Sequence, residues 1–150
     1  MKQDVSQFAW CEAFAIDHAL MDQQHRRLLH LCAEAKRCLD YHDEEACERF
    51  HDLLHELSIY AHQHMCEEES LLREHHYPGL AAHEAEHEAF RGQLADILFS
   101  AVQGQLDKAE VVRFLSVWWT DHILGADMAC KSYLNDDLDH CHPCRMATEL

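Results

Sequence analysis

Glycine and proline are scarce, with only 4 Gly and 2 Pro among 150 residues. So few breakers leave no room for the frequent tight turns of an all-β chain. The Ala, Leu, Glu, Gln, Arg and Met that fill the stretches between them favour helices. Basic residues are also few: 12 Lys and Arg stand against 28 Asp and Glu, and the formal charge of -16 repels nucleic acid and anionic membrane surfaces. No apolar run approaches the ~18 residues of a membrane span, and Met1 to Gln7 holds no apolar signal core. We therefore expect a cytoplasmic, all-α chain, acting as a monomer without nucleic-acid or membrane partners.

Two residue types are over-supplied. Without an export signal, the 8 cysteines read as reduced thiols rather than a disulfide framework. The 15 histidines are favoured neither by helix propensity nor by core packing, and imidazole is the commonest metal-binding side chain. Composition alone points towards metal.

The segment from Phe8 to Phe14 is aromatic and aperiodic, and is expected to pack as an arm across the body of the protein. Leu20, Leu28, Leu31, Cys32, Ala35 and Leu39 then recur at helical spacing, predicting a first helix from about Ala19 to Tyr41 with Asp17 as its cap. Phe50, Leu53, Leu54, Leu57, Tyr60, Ala61, Leu71 and Leu72 predict a second over roughly 44–75, ended by Tyr77-Pro78-Gly79. A third fits from Leu80 to Val102. A fourth fits from Asp107 to Asn135, carrying Val111, Phe114, Leu115, Trp118, Ile123 and Leu134. Four helices with short links imply an antiparallel up-down-up-down bundle over residues 1–135, followed by a polar tail over 136–150 with Cys141, Pro143 and Cys144.

His64 and Glu68 are four apart on the second helix, as are His83 and His87 on the third, so each pair leaves one helical face together. The first helix offers His25, and the fourth offers His122 with Asp127 five positions on. Counting from the connecting loops places the third- and fourth-helix groups at one depth, while Glu68 and His83 differ by under two turns. One detail resists an ideal helix: residues five apart sit ~140° around the axis. A single wide turn between His122 and Asp127 would bring both inward, a distortion common at functional sites.

From Trp10 to about Asp127 the chain resembles bacterial members of the hemerythrin family. The resemblance rests on Met21-Asp22-Gln23-Gln24-His25, on His64-Met65-Cys66-Glu67-Glu68-Glu69, on Tyr77-Pro78 followed by His83 and His87, and on His122-Ile123 followed by Asp127. It implies a non-haem di-iron centre. His83, His87 and His122 would bind one iron, His25 and His64 the other, and Glu68, Asp127 and an oxo or hydroxo group would bridge them. The second iron then keeps one open position, and the implied function is reversible dioxygen binding for storage, delivery or sensing. The family's oxygen pocket falls on Leu28, Met65, Trp118, Trp119 and Ile123, with Met65 where phenylalanine is usual.

Other readings compete. His42, His51, His55, His75, His76, His140 and His142 are expected to decorate the acidic surface. A ferritin-like oxidase would use Glu-x-x-His pairs, which Glu84 to His87 and Glu48 to His51 match, but His51 belongs at the other end of the second helix. The same centre could instead turn over peroxide, dioxygen or nitric oxide. A redox-sensing module could work through the Cys141-His142-Pro143-Cys144 tail. Cys32 and Cys130 read as small buried hydrophobes near the ligands.

Overall fold

The computed structural model describes residues 8–135. It is all-helical among those residues: α1 covers Ala19–Arg37, α2 Glu44–Glu74, α3 Leu80–Val102, α4 Lys108–His122 and α5 Met128–Asn135. A π-helical turn over Ile123–Asp127 joins α4 to α5 in one rod, so the architecture is the expected four-helix bundle. α1 packs on α2 and α4, and α2 packs on α3 and α5. Rings of Phe90 and Trp118, 4.2 Å apart, join α3 to α4.

Local chemistry sets the ends of the helices. Asp43 and Asp107 cap α2 and α4, their side chains accepting from the amides of Ala46 at 2.8 Å and Glu110 at 3.1 Å. The cap of α1 is not Asp17 but His18, whose Nδ1 accepts from the Met21 amide. Asp17 instead takes a left-handed φ of 58° and pairs with Lys131 at 2.7 Å, because the chain must turn sharply there to carry the arm onto α5. The first helix also tightens into a 3-10 turn over Cys38–Asp40 rather than running to Tyr41. At the end of α3, Gly104 supplies the left-handed φ of 67° that lets the Gln105 amide reach back to the Ser100 carbonyl at 2.9 Å. Gly79 has a different role, since a Cβ there would lie 2.7 Å from the Tyr77 ring.

The arm packs as expected, burying Phe8, Phe14 and Ile16. One periodic residue fails: Leu20 is exposed, and its neighbour Met21 is the buried one. Two apolar clusters divide the interior. The larger holds Leu28, Leu53, Leu57, Met65, Phe90, Leu115, Trp119 and Ile123 among others. The smaller holds Ile16, Met21, Leu72, Cys130 and Leu134. The buried polar side chains Asp22, His25, Glu68, His83, His87 and Asp127 lie between these clusters, forming a polar layer with apolar side chains on either side.

Candidate metal centre

Each helix delivers side chains to that layer. α1 supplies His25, α2 supplies His64 and Glu68, α3 supplies His83 and His87, and His122 and Asp127 flank the π turn. None is more than 3% exposed. One atom each from Glu68, His83, His87, His122 and Asp127 lie within 4.8 Å of one another, and so do one each from His25, His64, Glu68 and Asp127. The two carboxylates thus belong to both groups. His83 Nε2 lies 2.8 Å from Glu68 Oε2 and 3.3 Å from Asp127 Oδ1. His122 and His25 each place Nε2 3.0 Å from an Asp127 oxygen.

Outer contacts fix which nitrogen faces inward. Nδ1–H of His87 donates to Glu69 at 2.8 Å, that of His122 to Glu86 at 2.9 Å, and that of His64 to the Gln24 amide oxygen at 2.8 Å. A neutral ring with its proton on Nδ1 turns a bare Nε2 lone pair inward. His87 and His122 Nε2 face each other 3.0 Å apart. His25 Nδ1, His64 Nε2 and Glu68 Oε1 are buried without a hydrogen-bond partner, while the Asp127 oxygens face the Nε2 atoms of His25, His83 and His122 at 3.0–3.3 Å. Stranding polar atoms away from water costs several kcal/mol unless a cation collects them. The donor set fits a pair of divalent or trivalent cations: imidazoles and carboxylates without thiolate suit iron.

Electrostatics agree with that fit. Burial pushes His64 down to about 4, so it is neutral and free to coordinate at pH 7. Burial and the Asp127 charge oppose ionisation of Glu68, yet hydrogen bonds from His83 and His87 bring it down to about 2. His83 is lifted to about 10, burial being outweighed by its bonds to Asp127 and Glu68.

Leu28, Met65, Trp119 and Ile123 are fully buried in the cluster beside the ligands, and the Trp119 ring stands 6.0 Å from that of His64. Trp118 is placed differently. It is half-buried, touches the Trp119 ring at 4.8 Å on one side, stacks on His122 at 4.4 Å and lines an outer cleft with Arg113 and Phe114, so it forms the outer edge of that cluster and shields His122.

Sequence reasoning missed Gln24, Glu67, Glu69, Glu86 and Arg91. Gln24 holds His64 and itself donates to Glu67, while Arg91 donates to Glu69 at 3.0 Å. In so acidic a chain nothing marks Glu69 or Glu86 as special; adjacency to the ligands was the only signal. His42, His51, His55 and His76 are exposed and His75 is half-buried, which removes His51 from any ferritin-like pairing. Cys32 and Cys130 are buried, and burial raises both thiols well above the usual range. His140, His142, Cys141 and Cys144 lie outside the described residues.

A four-helix bundle with a buried layer of histidine and carboxylate side chains from every helix defines a metal-binding bundle. The profile of the hemerythrin HHE cation binding domain matches residues 17–132, and the chain belongs to that family. It is 28% identical over 125 residues to a bacteriohemerythrin of Clostridium acetobutylicum, covering 80% of this chain and 95% of the relative. It is 29% identical over 130 residues to a bacteriohemerythrin of Stenotrophomonas maltophilia, covering 84% and 83%. The crystal structure of wild-type hemerythrin superposes with a TM-score of 0.78 at 23% identity, over 84% of this chain and 96% of that one, and shares its fold.

Proposed function

We propose that this chain is a non-haem di-iron protein that binds dioxygen reversibly. His83, His87 and His122 hold one iron, His25 and His64 the other, and Glu68 and Asp127 bridge the pair together with an oxo or hydroxo group. The observation that carries this reading is the pair of buried imidazole and carboxylate groups converging from all four helices, several of whose atoms have no hydrogen-bond partner. Membership of the hemerythrin family supports it.

Two ferrous ions so held would supply reducing electrons and a Lewis-acid position for a small ligand, on the side with fewer protein ligands. The chain's own residues do the rest. Glu69, Glu86 and Gln24 hold three imidazoles in the tautomer that turns Nε2 inward. Leu28, Met65, Trp119 and Ile123 carry no ionisable group and form a buried wall beside the ligands, with Trp119 Nε1 its one unpartnered polar atom. A dry, apolar wall of this kind favours release of a small apolar ligand unchanged over its protonation and reduction. Imidazole-rich coordination, with only two carboxylates, also disfavours high-valent iron. A carrier or sensor follows better than an oxidase.

Anaerobic loading with ferrous iron, followed by metal analysis, tests the foundation. Two irons per chain are expected, and a single ion, or preferential retention of one zinc, would contradict the assignment.

A further inference from the structure

The two halves of the cluster are held unequally. At the three-histidine half, His87 donates to Glu69, and Glu69 Oε1 is itself fixed by Arg91 Nη2 at 3.0 Å. His122 donates to Glu86 at 2.9 Å. Both buttresses are carboxylates, which orient an imidazole and strengthen it as a donor. At the two-histidine half, His64 leans on the neutral amide oxygen of Gln24, whose NH2 group is turned to Glu67. His25 Nδ1 is buried with no partner. The supply of ligand atoms runs the same way, five converging on one side and four on the other.

We propose, resting on the dinuclear reading above, that the His83, His87 and His122 position is the tight, first-filled metal position, and that the His25 and His64 position is a weaker, last-filled one that exchanges its ion and accepts a different divalent cation. Glu69, Arg91 and Glu86 are positioning residues for the first; Gln24 and Glu67 set the weakness of the second. Outer-shell partners of metal-bound histidines are each worth roughly 10–100-fold in affinity, so two carboxylate buttresses against one amide separate the positions by at least about tenfold. The second ion also enters beside a charge already bound, which widens the gap. A one-metal form therefore accumulates when metal is limiting, and mixed-metal forms can be assembled in a fixed order.

The full-length chain, stripped with a chelator, is titrated anaerobically with Co(II) and followed by visible absorption and calorimetry. Two steps of one equivalent each are expected. His25→Ala removes only the weaker step and His87→Ala the tighter one. Glu69→Gln and Glu86→Gln each weaken the tight step by roughly 10–100-fold. The exchange variant Gln24→Glu with Glu67→Gln, which preserves net charge, tightens the weaker step. If no Co(II) binds, the dinuclear reading itself fails. If Co(II) binds in one two-equivalent step, or if His25→Ala abolishes the tight step, the order of filling is overturned while the centre stands.

Discussion

At the scale of single residues, Glu68 and Asp127 carry the greatest consequence, because each belongs to both ligand groups. Replacing either with Ala should lower iron content from two per chain to one or fewer. His55→Ala and His76→Ala, at exposed positions, should leave it unchanged; equal losses at all four would show the site misassigned. Protonation offers a separate check. In the metal-free chain His83 is lifted to about 10, burial being outweighed by Asp127 and Glu68, and His122 is raised in the same way. A protonated imidazole has no lone pair, so an incoming metal must displace these protons. Binding at pH 7 should therefore release protons, and affinity should climb as pH rises through the neutral range towards 10. Calorimetry in buffers of different ionisation enthalpy measures the release; an affinity flat with pH would contradict it. Ile123→Asn, placing a polar group in the dry wall, should speed loss of the oxygenated form to ferric protein by admitting water.

Among the elements, the π turn over Ile123–Asp127 decides whether the centre closes. In a regular helix His122 and Asp127 would point ~140° apart, whereas here His122 Nε2 lies 3.0 Å from Asp127 Oδ1. Inserting one alanine after Gly125 makes the spacing six, which turns Asp127 roughly a further 100° about the axis, and should carry it out of the layer and strip the metal, with helicity by circular dichroism nearly unchanged. Retained iron in that variant would show that the turn is incidental. The turn was legible in the sequence because five-residue spacing is incompatible with one α-helical face. The spans of α2 and α3 were equally legible, being periodic runs bounded by strong breakers. Asp17 was not: its side chain type suits a cap, but the left-handed turn and the Lys131 pair are tertiary facts. Leu20 fails for a related reason, since helical spacing cannot separate neighbouring apolar residues when the buried face is set by where the arm lies. The inward-facing ligands were readable from their spacing, whereas their outer partners Glu69 and Glu86 depend on which surface carboxylates the bundle brings beside His87 and His122.

For the whole molecule, the polar layer between two apolar clusters separates stability from chemistry. The larger cluster extends well beyond the ligands, so Leu53→Ala, at a 2% exposed position, should cost about 2–5 kcal/mol of folding stability and leave metal stoichiometry intact. We propose that residues 1–135 form the working domain. A chain ending at Asn135 should then fold and hold two irons, and a folded but iron-free truncation would give the Cys141 and Cys144 segment a role in the centre. The central claim is reversibility, and one measurement addresses it most directly: the ultraviolet-visible spectrum of the ferrous protein through repeated oxygenation and degassing. We expect a visible charge-transfer band that appears with oxygen and largely disappears on its removal, over several cycles. Stoichiometric hydrogen peroxide or water on first exposure, with no ferrous protein recovered, would contradict it.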